Sequence, residues 1–144
     1  MHYTQNSGYD TIVKRGIFEN PRVIYAFDDT CQTWLHKYAA LGECGCLRII
    51  LETHAKNESP SIPGCPSYVD CRDEKRRTAL HYAAMSGLPD CVDLLLKSGA
   101  NPDVPDHEGK RPCDVIGLQL NTGPYGYPVN IEACERLLPR NGHA

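Results

Sequence analysis

"TALHYAAMSG", residues 78–87, has a counterpart earlier in the chain: "TWLHKYAALG", residues 33–42. His81 follows His36 by 45 residues, in the same local context. The agreement continues past the quoted stretches. Thr33, Leu35, His36, Ala39, Gly42, Leu47, Ile49 and Ile50 align with Thr78, Leu80, His81, Ala84, Gly87, Val92, Leu94 and Leu95, and Cys46 aligns with Cys91. Two histidines in matching contexts point to a structural repeat before they point to chemistry.

One copy can be read from its physics. Thr78 is a residue type that caps helix N-termini. Leu80, Ala83 and Ala84 then fall on one helical face. Gly87 supplies the left-handed conformation that ends a short helix. "LPDCVDLLLKSG" is a second helix, with Pro89 at its start, Gly99 after its end, and Val92, Leu95 and Leu96 as its apolar stripe. "ANPDVPDHEGKR" is rich in Asn, Pro, Asp and Gly and reads as an extended turn. The unit is helix, turn, helix, long turn.

This unit resembles an ankyrin repeat, whose pattern is Thr-Pro-Leu-His-x-Ala with a period of about 33 residues. Residues 69–101 match, with Ala79 in place of the proline. The resemblance implies an all-α, ankyrin-repeat solenoid of helix-turn-helix units joined by extended, β-hairpin-like turns. It divides one domain over 1–144 into a half repeat at 11–22, a repeat at 24–56, an insertion at 57–68, a repeat at 69–101 and a C-terminal capping repeat at 102–142. The capping repeat opens at "EGKRPCDVIG", residues 108–117, carries an insertion at 121–130, and closes with a helix in "NIEACERLLPRNG", residues 130–142. The resemblance also implies that His36 and His81 hydrogen-bond to backbone in adjoining turns.

Composition agrees with an ordinary globular chain: 41% hydrophobic, 23% charged, net charge −3 over 144 residues. That balance gives no electrostatic case for nucleic acid. No apolar run is long enough to span a bilayer, and the N-terminus lacks the pattern of a secretory signal. A cytoplasmic or nuclear protein is expected. On that reading the eight cysteines are thiols by default. Cys46, Cys91 and Cys134 sit on helical stripes and Cys113 in the cap. Cys31, Cys44, Cys65 and Cys71 are surplus, with spacings wrong for a paired Cys-x-x-Cys zinc site.

No phosphate loop, serine elbow or Cys–His pair is present, so no catalytic residue, metal or cofactor is expected. The chain reads as a non-catalytic protein-interaction module, an adaptor, scaffold or inhibitor, that meets another protein through its turn tips and concave helix face. The expected contact residues are Trp34; Arg72, Glu74, Lys75 and Arg76 in the middle turn; His107, Glu108 and Lys110 in the next; and Tyr125 and Tyr127 in the second insertion. No nucleic acid, membrane insertion or small-molecule substrate is expected. Two alternatives stay open. The chain is the ankyrin segment of a larger enzyme or channel, which the N-terminal half repeat favours and Met1 weakly opposes. Or it is a metal or redox switch built on the surplus cysteines.

Overall fold

A computed structural model describes residues 9–56, 67–118 and 129–138. Among these residues six α-helices and several short 3₁₀ turns are found, and no strand. Helix α1 spans Tyr9–Glu19, α2 Trp34–Leu41, α3 Cys44–Lys56, α4 Ala79–Ser86, α5 Pro89–Lys97 and α6 Ile131–Leu137. Helices α2 and α4 pack side by side and continue onto a 3₁₀ turn at Pro112–Asp114, forming one row. Helices α1, α3, α5 and α6 pack in sequence behind them as a second row. The all-helical solenoid anticipated from the sequence is therefore present.

The aligned residues occupy equivalent places. Leu35 and Leu80, Leu47 and Val92, and Ile50 and Leu95 are all fully buried between the rows. Gly42 and Gly87 both cap their helices at φ 75° and 70°, the left-handed region where a side chain would strain the backbone. In the third unit the first arm is only the 3₁₀ turn at Pro112–Asp114. The second arm, α6, ends at Leu137, and residues 139–144 lie outside the described ones. Most of the 57–68 stretch also lies outside them, but Tyr68 is a core residue, 1% exposed. Its hydroxyl donates to the Ile24 carbonyl, and its ring meets Tyr25 edge-on and lies tilted against His54.

Trp34 lies at the N-terminus of α2, half-buried and packed against the core. Its ring reaches α1, where a Cβ on Gly16 would stand 2.8 Å from Trp34 Cη2. Tyr38, one helical turn later, meets the indole edge-on at 5.9 Å.

The cysteine reading needs correction. Cys44 and Cys91 form a disulfide, with Cα atoms 5.2 Å apart, that joins α3 to α5. Cys91 is thus a cross-link rather than a lone apolar filler. Its partner is not Cys46, which aligns with it, but Cys44, two residues before. Residues two apart on a helix point about 200° apart, so only one of the pair can face α5. Cys46 stays a buried thiol. Closing a loop of sequence separation 47 contributes about 4 kcal/mol in the chain-entropy account.

His36 and His81 hold neighbouring units together through both ring nitrogens. Nδ1 of His36 accepts the Thr33 N–H at 3.1 Å, and Nδ1 of His81 accepts the Thr78 N–H at 3.0 Å. Each Nε2–H donates to a carbonyl of the following turn: His36 to Arg77 at 3.0 Å, His81 to Lys110 at 2.9 Å. This pattern requires a neutral ring. Burial lowers both pKa values below 6.5, outweighing the hydrogen bonds and acidic neighbours that raise them. In acid the unfolded chain binds these protons first, so stability is full above about pH 6.5 and falls as pH drops toward the folded-state values. Removing the His81 ring orphans a buried N–H and a carbonyl, at a cost of about 1–3 kcal/mol for each. His81→Ala is expected to lose about 2–4 kcal/mol in urea denaturation at pH 7.5, and to show a shallower loss of stability between pH 7 and 5 than the unchanged chain.

Candidate partner-binding site on the turn tips

Three turns leave the stack on the same side, and the same chemistry folds each. An aspartate accepts two backbone N–H groups, two and four residues ahead. Asp28 Oδ1 binds Thr30 and Gln32 at 2.8 and 2.9 Å. Asp73 Oδ1 binds Lys75 and Arg77 at 2.9 and 3.0 Å. Asp106 Oδ1 binds Glu108 and Lys110 at 2.8 and 3.0 Å. Each aspartate N–H also pairs across the turn, with the carbonyl of Gln32, Arg77 or Lys110. The backbone N–H bond from Gln32, then that from the Thr30 hydroxyl, hold the Asp28 carboxyl down at about 2. Burial alone would raise Asp73 and Asp106. Hydrogen bonds outweigh it and keep both below the usual carboxylate range.

The turns are also tied to one another. Glu74 N–H donates to the Thr30 carbonyl at 2.9 Å, and His107 N–H to the Lys75 carbonyl at 3.0 Å. Side chains repeat the link one layer deeper. Gln32 Nε2 and the Tyr82 hydroxyl both donate to Asp73 Oδ2. At the place of Gln32 the next turn has Arg77, whose Nε lies 3.6 Å from Asp106 Oδ2 and whose guanidinium sits over the Tyr82 ring. The edge formed by the tips is therefore a fixed ladder.

Of the residues expected to meet a partner, the middle turn brings together Arg72, Glu74, Lys75 and Arg76, all exposed. The third turn adds exposed His107, Glu108 and Lys110. His107 has a structural task besides, since its Nδ1 is 3.1 Å from the Lys75 carbonyl. Trp34 is set apart from this edge, against α1. Tyr125 and Tyr127 lie outside the described residues. The helical side of the expected surface is narrower than the sequence suggested. Every residue of α4 from Ala79 to Ser86 is buried, so this helix offers no open face. Only Lys37, Ala40 and Leu41 on α2 are exposed in that row, and Lys37 pairs with Asp28.

The tips carry one conformational oddity. The residue three past each turn aspartate is left-handed: Cys31 at φ 64°, Arg76 at φ 61°, Gly109 at φ 77°. Glycine takes that conformation without penalty, whereas other residues are strained there by about 1 kcal/mol. Sequence reasoning missed this and the turn aspartates, although the spacing was visible: Asp28, Asp73 and Asp106 each stand five residues before Thr33, Thr78 and Arg111.

Among the described residues no group of three or more His, Cys, Asp or Glu could hold a metal ion, and no helix is long and apolar enough to cross a membrane. What the site offers is a rigid, charged edge.

Fold, capping histidines and stacked turns define an ankyrin-type solenoid, and comparison with known proteins agrees. The ankyrin-repeat profile matches residues 1–106 as three copies, and the chain belongs to that family. Similar proteins include the E3 ubiquitin-protein ligase Ufd4 of Drosophila melanogaster, 32% identical over 100 residues, covering 69% of this chain and 3% of that protein. Inversin-B of Xenopus laevis is 45% identical over 47 residues, covering 33% of this chain and 5% of inversin-B. The putative E3 ubiquitin-protein ligase XBAT31 of Arabidopsis thaliana is 36% identical over 69 residues, covering 48% of this chain and 15% of XBAT31. The matched stretch is thus a small fraction of each of these relatives. Ankyrin repeats are interaction modules, and a protein partner is what this family membership implies.

The left-handed position gives a direct test of the turn geometry. Arg76→Gly relieves the strain and is expected to stabilise the fold by about 0.5–1 kcal/mol, read as a higher urea midpoint with unchanged slope.

Proposed function

We propose that this chain is a non-catalytic protein-interaction module, acting as adaptor, scaffold or inhibitor, and that it holds its partner on the turn tips. The observation that carries this reading is the ladder: three turns locked to each other by backbone hydrogen bonds, with Arg72, Glu74, Lys75, Arg76, Glu108 and Lys110 exposed along it. A rigid edge binds with little ordering cost, because its backbone is already fixed. The burial of α4 supports contact at the tips. Trp34, Tyr125 and Tyr127 remain proposed contacts, Trp34 set apart from this edge. The site of action is the cytoplasm or nucleus.

A second reading has its own support. E3 ubiquitin-protein ligases recur among the similar proteins, and the resemblance occupies only a few per cent of Ufd4. On this reading the module serves a larger enzyme as the part that selects its protein target, with no catalytic group of its own.

Charge reversal at the middle tip tests the first reading. Arg72, Lys75 and Arg76, all changed to Glu, are surface substitutions that leave the fold intact by circular dichroism. Affinity capture from the native cell is expected to recover partner proteins with the unchanged chain and to lose them with the reversed one. Equal recovery by both would move the contact surface away from the tips.

A further inference from the structure

The middle tip gathers three exposed cations within five residues. Five other cations are placed in ion pairs: Lys37, Arg77, Lys97, Arg111 and Arg136. Arg72, Lys75 and Arg76 are exposed, and among the described residues none of them forms an ion pair. The acid that belongs to this turn, Asp73, is 5% exposed and is turned inward to its own N–H groups, Gln32 and Tyr82. Glu74 is then the one exposed acid in the 71–78 turn. The middle tip is therefore a local positive centre on a chain whose net charge is −3.

Arg76 sits at the apex of that centre in a conformation that favours glycine, and the third turn has Gly109 at the same place. Among the described residues no ion pair or hydrogen bond holds the Arg76 side chain. Strain kept where the fold gains nothing points to a use outside the fold.

Resting on the tip-binding reading above, we infer that the middle tip recognises an extended peptide segment with clustered carboxylates, and that Arg76 is its anchor. The guanidinium takes a carboxylate through two parallel N–H···O bonds, while Lys75 and Arg72 act as neighbouring positive charges. The flanking tips define the rest of the pattern. Exposed Asp29 on one side and Glu108 on the other disfavour a continuous polyanion such as nucleic acid, and suit a peptide whose acids lie at its centre. The fixed ladder presents the three cations without prior ordering of the backbone.

The test is selection of a phage-displayed random peptide library on the intact chain. Fluorescence anisotropy of the selected peptides then follows, against the unchanged chain, Arg76→Gly and Arg76→Lys, with a double-stranded DNA oligonucleotide as a second probe. Selected peptides are expected to be enriched in adjacent Asp and Glu over the input library. They are expected to bind Arg76→Gly about tenfold more weakly and Arg76→Lys by an intermediate amount. Arg76→Gly is expected to melt no lower than the unchanged chain, and a melting curve run beside the binding assay separates lost binding from unfolding. Peptides without acidic enrichment, equal affinity for Arg76→Gly, or DNA binding as tight as the peptides would each overturn the inference. If acid-poor peptides are selected while the charge-reversed chain still loses its captured proteins, the inference fails and the tip-binding reading stands. If neither assay finds a ligand that depends on these residues, both fail.

Discussion

A neutral imidazole bound at both nitrogens is the interaction on which this stack depends. Nδ1 closes the first turn of the histidine's own helix, and Nε2–H reaches the carbonyl of the next unit's turn. One side chain therefore does two tasks that would otherwise need separate residues: capping within a unit and register between units. That explains why Thr and His recur at fixed spacing while the surrounding polar positions drift. It also makes the stack sensitive to mild acid, because a protonated ring has no acceptor for the threonine N–H.

The helical units were legible because their signals are local and repeated. Thr33 with His36 and Thr78 with His81 mark helix starts, Gly42 and Gly87 mark helix ends, and the paired apolar residues between them mark the buried face. The family resemblance rested on the same residues. What escaped was long-range or conformational. The Cys44–Cys91 bond depends on which side of α3 faces α5, and the sequence reading took Cys91 as an apolar stripe residue and Cys44 as a surplus thiol. The seating of Trp34 depends on a glycine eighteen residues away in another helix. The closure of α4 depends on packing from both neighbours and from the segment after the third turn, where Gly117 N–H binds the Ala84 carbonyl and Asn130 N–H the Gly87 carbonyl.

For the candidate site, sequence could mark which residues lie at tips but not how they are held. The charges of "DCRDEKRRT" look like a mixed, solvated run. In the structure Asp73 and Arg77 are drawn inward, Asp73 to its own turn and Arg77 to Asp106. Removing one acid and one base leaves the net charge of the run as it was, but gathers Arg72, Lys75 and Arg76 at the surface with Glu74 as the exposed acid among them. The sorting follows from turn geometry: the residue that starts the turn aims its carboxylate at the backbone ahead, and the residue that ends it lies against the following turn. The tip itself is left to the residues between.

The link between units also has a direction. Each histidine receives from behind and gives ahead, so the chain of bonds runs one way, from the first unit toward the third. At the third unit the corresponding residue is Asp114, which accepts the Arg111 N–H at 2.9 Å in the same capping role. An ionised carboxylate has two acceptors and no proton to pass on. The relay of histidine donors stops at that side chain. The backbone N–H bonds between units run the opposite way, from Glu74, His107, Gly117 and Asn130 back to the unit before. The stack thus acquires a polarity in which the histidine side chains give forward and the backbone gives back.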